Sequence, residues 1–100
     1  MTDVALEVID NEFLRQFETT FEGEKAKIEY AQQERKIFLT KLIMNEDHVE
    51  KGYSEEFIIA VFNLIKDRNI RLVPTCPLIA KFMRKNRRKY KDLLPVGINL

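Results

Sequence analysis

The only cysteine of the chain, Cys76, stands in Leu72-Val73-Pro74-Thr75-Cys76-Pro77, where a short strand-like stretch ends and a helix is expected to begin. A thiol at such a junction faces the positive end of a helix dipole, which favours the thiolate and suits partial exposure. The same residue also reads as a small buried hydrophobe, the commoner state of a free cysteine. A second chemical feature is the cluster Lys81, Arg84, Lys85, Arg87, Arg88, Lys89 and Lys91, against which the rest of the chain is correspondingly acidic. These cations suit a phosphate or another anionic partner, or they form a solvated helix end that complements the dipole. Few aromatic residues interleave with them, which argues against specific base recognition. His48 is the single histidine and lies in a polar stretch without cysteine or histidine partners, so it reads as a solvated loop residue and a poor metal ligand. Tyr53 and Tyr90 could touch a ligand or serve as acids, with packing as the simpler role.

The length of 100 residues predicts one domain over 1–100, with a single core and no room for a second. A net charge of +1 argues against a globally basic nucleic-acid binder, although local clustering could still build one. One cysteine excludes an internal disulfide and any multi-cysteine metal site. No apolar run approaches the length of a membrane span, and Met1-Thr2-Asp3-Val4 lacks a basic region followed by an apolar one; the expected compartment is the cytoplasm.

Phe13, Phe17 and Phe21 share the odd face of a segment that reaches Glu22-Gly23, and Ala26, Ile28 and Tyr30 alternate with Lys25, Lys27 and Glu29 directly afterwards. This predicts an antiparallel hairpin. Gln32 to Arg35 makes a second turn, and Ile37 to Met44 carries apolar residues on both faces, as in a central strand covered from both sides. Asn45 to Gly52 reads as a polar loop. From Ser54 to Arg68, Phe57, Ile58, Val61, Leu64 and Ile65 recur at helical spacing, with Ser54 as N-cap and Asn69 as the stop. Ile70 to Val73 is a short strand, so Ile37 to Val73 forms one βαβ crossover with parallel pairing. Pro74 removes a donor at its end, and the two parallel strands can separate there. A second helix from Pro77 to about Asn86 carries Leu78, Ile79, Phe82 and Met83 inward, and Tyr90 to Leu100, with its Pro95-Val96-Gly97 break, packs without regular structure. The fold class is thus α/β of the α+β kind, a mixed sheet made of a hairpin and a βαβ crossover with splayed parallel strands, plus two main helices.

This order resembles the short single-domain branch of the GNAT-type N-acetyltransferases over roughly Phe17 to Leu94. Its closest stretches are Phe21-Glu22-Gly23-Glu24-Lys25-Ala26-Lys27-Ile28-Glu29-Tyr30 and Leu72 to Pro77. Counting back from Cys76 puts Gly52 on the last glycine of the family's Arg-Gly-x-Gly signature, with Val49, Glu50 and Lys51 in the other three places. The resemblance implies acetyl transfer from acetyl-CoA to an amine, with the pantetheine arm in a wedge between Ile37–Met44 and Ile70–Val73. Backbone groups near Leu42, Ile43 and Met44 would bond its amides and polarise the thioester carbonyl. Backbone N–H groups of Lys51, Gly52, Tyr53, Ser54 and Glu55 would cradle the pyrophosphate. Cys76 matches the family's Thr-Cys or Ser-Cys pair, which places it near the acetyl group, either as a transient acceptor or as packing against the channel.

The chain departs from the pattern on the cofactor side. Val49 replaces an arginine, Glu50 replaces the first glycine, and Glu55 and Glu56 add negative charge where a pyrophosphate would lie. Lys51 and the cluster from Lys81 to Lys91 would restore part of the lost cation. Lys41-Leu42-Ile43-Met44 stands where the family has His-Thr-x-Val, so a histidine base is missing, and an exposed Lys41 is protonated at neutral pH. No helical insertion separates the first strands, so the acceptor side is expected to be open to a protein lysine or terminus, a polyamine, or a second copy of the chain as a homodimer. Three functions follow: an acetyl-CoA-dependent N-acetyltransferase, a degenerate GNAT domain that binds acyl-CoA or a protein partner without turnover, and a basic-patch nucleic-acid binder.

Overall fold

In a computed structural model that describes residues 6–95 and residue 97, the chain runs β1 (Ile9–Asn11), β2 (Gln16–Phe21), β3 (Glu24–Gln33), β4 (Lys36–Ile43), α1 (Glu46–Glu50), α2 (Tyr53–Asp67), β5 (Arg71–Pro74), α3 (Pro77–Lys85), α4 (Arg87–Tyr90) and a closing 3-10 turn, Lys91–Leu93. The five strands lie in sequence order in one mixed sheet, antiparallel from β1 to β4 and parallel between β4 and β5. The hairpin β2–β3 follows from its turn: Glu22 and Gly23 both hold positive φ, 50° and 84°, which suits the twist of tightly joined antiparallel strands. The crossover β4–α2–β5 is the expected βαβ unit. Asn69, with φ 58°, ends the crossover helix in the left-handed position that asparagine tolerates.

The core lies between one sheet face and the helices. Phe17, Ile28, Ile37 and Leu39 from the sheet are fully buried with Phe57, Val61, Phe62 and Ile65 from α2, Leu72 from β5, and Ile79 and Met83 from α3. α2 supplies this stripe because its apolar residues recur every three or four positions. Phe62 meets Phe82 and Tyr90 edge-on at 5.8 and 5.0 Å, and this cluster fastens α3 and α4 to α2.

Several expectations are corrected. The hairpin has an additional partner, the short edge strand β1, and the residues between β1 and β2 form a turn, leaving Phe13 92% exposed instead of on the strand face. β4 is not covered from both sides, and the middle strand of the five is β3. Glu29 pairs with Lys41 and Tyr30 with Leu39, so Thr40 is an extra residue, a bulge that reverses the alternation. Ile37 and Leu39 before the bulge, and Leu42 after it, therefore face the same core, while Ile43 is 38% exposed. Apolar residues on both parities came from the shift of register. The polar loop contains α1, capped by Asn45, whose side chain accepts from the Asp47 N–H at 2.8 Å. His48 is buried there at 4% exposure, not solvated.

The N-cap of α2 is Gly52, one residue before the helix begins at Tyr53, and Ser54 is buried inside the first turn. Ile70 stays outside β5. Leu78 is exposed, because the inward stripe of α3 is Ile79, Phe82 and Met83. The segment after Asn86 is partly regular, as α4 and the 3-10 turn, and it buries Tyr90, Leu93 and Leu94. Val96 of the expected tail break, residues 98–100, and the first five residues lie outside the described residues.

Candidate active site

The parallel strands part where the sequence places a proline. β4 and β5 pair from Lys36↔Arg71 to Leu39↔Pro74, and there the ladder stops. The proline is not what ends it: the β5 donors to β4 run from the Arg71 N–H on Arg35 at 2.8 Å to the Thr75 N–H on Leu39 at 3.0 Å, on either side of Pro74, whose missing N–H falls on the open edge of the sheet. The chain then turns onto one atom: the Leu39 carbonyl accepts from the Thr75 N–H at 3.0 Å, the Cys76 N–H at 2.9 Å and the Thr75 hydroxyl at 3.0 Å. Pro77 opens α3 at the first helical position, where a missing N–H costs nothing. Beyond Leu39, Lys41 to Ile43 pair with β3 alone, and the bulged Thr40 is held by its hydroxyl on the Glu29 carbonyl at 3.1 Å. The Leu42-Ile43-Met44 backbone thus has no β5 partner, and the Cys76–Pro77 corner follows directly on the last bonds to Leu39.

Cys76 is the N-cap of α3 and makes no capping bond through its side chain. It is 7% exposed and belongs to the core cluster, the buried one of the two states that its sequence position allowed. Its backbone is fully engaged, the N–H on Leu39 and the carbonyl accepting from the Ala80 N–H at 2.8 Å.

A cleft of about 180 Å³ lies between the start of α2 and α3. Val49, Gly52, Ser54, Glu55 and Ile58 form one wall, and Leu78, Lys81, Phe82 and Lys85 the other. Gly52 holds φ 88°, which a side chain would strain, and an added Cβ would meet nothing within 4 Å. Of the five amides expected to cradle phosphate, two are already used: the Lys51 N–H donates to Asp47 at 3.2 Å and the Gly52 N–H to Val49 at 3.0 Å, closing α1. The first bond of α2 is the Glu56 N–H to the Gly52 carbonyl at 3.4 Å, so the Tyr53, Ser54 and Glu55 amides are the unpaired donors of this helix start. Lys81 and Lys85 bring two cations to the cleft and Glu55 one carboxylate.

Sequence reasoning missed the contact that closes this region from below. The Lys51 ammonium sits 3.1 Å from both oxygens of Glu22 in the β2–β3 turn, and the Tyr53 hydroxyl donates to Glu22 at 2.6 Å. Tyr53 stacks on Phe21, with ring centres 4.7 Å apart and planes 7° from parallel. His48 Nε2 lies 3.7 and 3.8 Å from Glu22 and Glu24. The Tyr53 hydrogen bond, then the Lys51 one, hold the Glu22 carboxyl below its ordinary value of 4.5. The same carboxylate raises the Lys51 ammonium and, first among the causes, the Tyr53 phenol. Lys51 thus answers a carboxylate on the turn instead of standing in for the arginine replaced by Val49. No local pattern announces a pairing over such a sequence separation.

The remaining candidates separate by position. Tyr90 is buried in the aromatic cluster with Phe62 and Phe82. Lys41 is exposed on β4 opposite Glu29. Lys81, Arg84 and Lys85 lie on α3, and Arg87, Arg88 and Lys89 on α4. Among the described residues, no group of three or more His, Cys, Asp or Glu could hold a metal ion, and no helix is long and apolar enough to cross a membrane.

Comparison with known proteins bears on the whole arrangement. A model described as GCN5-related N-acetyl-transferase matches residues 16–93. Among solved structures, the NMR solution structure of a GCN5-like candidate N-acetyltransferase from Staphylococcus aureus is similar at a TM-score of 0.67 and 19% identity, covering 95% of this chain and 92% of that one. At that identity the likeness concerns the fold. No curated protein matches.

Proposed function

Because the chain belongs to the GCN5-related N-acetyltransferase family, we propose that it is an acetyl-CoA-dependent N-acetyltransferase, with the wedge between β4 and β5 as its reaction centre. The observation that carries this reading is the end of the β4–β5 pairing at Leu39↔Pro74, which leaves the β4 backbone beyond it without a β5 partner. Acetyl-CoA supplies an activated acetyl thioester. The backbone at Leu42, Ile43 and Met44 bonds the pantetheine amides and orients the thioester carbonyl toward a fixed donor, so that developing negative charge is met without reorganisation. The amides of Tyr53, Ser54 and Glu55 and the ammonium groups of Lys81 and Lys85 hold the phosphates. Gly52 keeps the approach to that helix start free of side chain. Lys51 contributes through its place beside Gly52, with its own charge on Glu22.

The acceptor amine attacks the thioester carbonyl carbon directly; a C–N bond forms as the C–S bond breaks, coenzyme A leaves as the thiolate and takes up the proton that the amine loses, and proximity in the wedge supplies most of the acceleration. Cys76 stands beside the reacting thioester as part of the wedge wall. No histidine flanks the wedge at Lys41-Leu42-Ile43-Met44, so the amine arrives deprotonated, and turnover rises with pH up to the pKa of the acceptor itself. The short β1–β2 turn leaves the acceptor side open to a protein lysine or terminus, a polyamine, or a second copy of the chain. The reading takes residues 1–100 as one domain working in the cytoplasm.

Glu55 in the cleft, with no cation at Val49, favours a second reading, a domain that binds acyl-CoA without turnover. Titration with coenzyme A, followed by amide NMR shifts, tests the site. Shifts at Leu42 to Met44 and at Tyr53 to Glu55 are expected, and no response at millimolar ligand would sink both readings. Release of free thiol from acetyl-CoA in the presence of amines then separates enzyme from binder.

A further inference from the structure

We propose that Glu22 is a positioning residue for the phosphate cleft: from the tip of the β2–β3 turn, its carboxylate grips the residues on both sides of Gly52 and so sets the direction of the first α2 amides. The inference rests on the coenzyme reading above. Gly52 links α1 to α2 in a left-handed conformation with no side chain to restrain it, a pliable link beside the cleft. Lys51 before it and Tyr53 after it are both tied to Glu22, at 3.1 and 2.6 Å. One carboxylate, 29 and 31 residues away in sequence, therefore spans the pliable link. The stack of Tyr53 on Phe21 fixes the second arm of the grip to the end of β2. His48 faces the same carboxylate from α1 at 3.7 Å. A hydrogen-bond cradle works only if its donors already point at the ligand, so a restraint on their direction acts on affinity.

Calorimetric titration with coenzyme A tests this on the wild-type chain and three variants. Glu22→Gln keeps an acceptor for Tyr53 but loses the charge that holds Lys51, and is expected to weaken binding about fivefold; Tyr53→Phe, which removes only the hydroxyl, is expected to weaken it about twofold. KM for acetyl-CoA should rise in step while kcat holds, the mark of lost ground-state binding. Asp10→Asn is the control. Asp10 tethers the far end of the sheet to the end of α2, through Arg68 at 2.7 Å and Tyr30 at 2.6 Å, and its loss should lower Tm without changing affinity. Wild-type affinity in Glu22→Gln, or an equal loss in Asp10→Asn, would overturn the positioning role and leave the coenzyme site standing. Absence of binding by the wild type would overturn both. If Glu22→Gln does not fold, Tyr53→Phe decides alone, and unchanged affinity there rejects the proposal.

Discussion

Gly52 joins α1 to α2 in a backbone conformation that glycine holds without strain. Its φ of 88° lies where a side chain clashes with its own carbonyl, so Gly52→Ala should cost about 1–2 kcal/mol in chemical denaturation even though the space around it is open. Gly52→Glu adds a carboxylate to the cleft and should abolish coenzyme A binding by calorimetry. Tyr30 makes a different prediction. Burial, and then its bond to Asp10, push its phenol up to about 12 from an ordinary 10.0. A folded-state value above the unfolded one means the stabilisation is complete below pH 10 and is lost as pH climbs from 10 toward 12. Denaturation midpoints should therefore fall over that window in the wild type and fall less in Tyr30→Phe. Cys76→Ala removes a buried sulfur at the start of α3 and should cost about 1–2 kcal/mol. Under direct amine attack, kcat stays within about tenfold of wild type. Collapse of turnover in a folded variant, with an acetylated thiol seen by mass spectrometry of the wild type, would instead establish a covalent route.

Two strands frame the proposed reaction centre. The β4–β5 pairing ends at Leu39↔Pro74, and the Thr40 bulge follows directly in β4. Both are held by threonine hydroxyls on carbonyls, Thr40 on Glu29 and Thr75 on Leu39. Thr75→Val keeps shape and loses the hydroxyl bond, and should cost about 1 kcal/mol in denaturant unfolding, with amide shifts centred on Leu39 and Cys76. The proline, the crossover and the amphipathic face of α2 were legible in the sequence because each depends on local chemistry or period. The bulge was not. A single extra residue leaves no compositional mark, and Ile37, Leu39 and Leu42 look like two-sided burial until their pairing partners are known. α1 was hidden for a related reason. Apart from Val49 its residues are polar, and only His48 is buried, toward a turn made much earlier in the chain.

The whole molecule is electrically lopsided. Residues 1–67 carry 15 acidic against 8 basic side chains, while residues 68–100 carry 9 basic against 1 acidic. The cleft lies where these halves meet, with Glu55 from one and Lys81 and Lys85 from the other. A polyanionic ligand should feel the basic half, so Lys81→Gln combined with Lys85→Gln should weaken coenzyme A binding about tenfold at low salt, and less as screening shortens the reach of charge. Equal affinity at low salt would place the phosphates elsewhere. Binding to nucleic acid that weakens steeply with salt would assign the outer cations a different partner. The sequence by itself determined what short-range physics can encode: the Glu22-Gly23 turn, the helical face from Phe57 to Ile65, the stop at Pro74, the glycine at 52, and the family to which these belong. Only the tertiary structure decided what depends on residues far apart in the chain. It alone sent Lys51 to Glu22, closed the amides of Lys51 and Gly52 within α1, buried Cys76 and His48, and set Glu55 opposite Lys81. Those outcomes turn on distance and burial, which no local pattern of residue types contains.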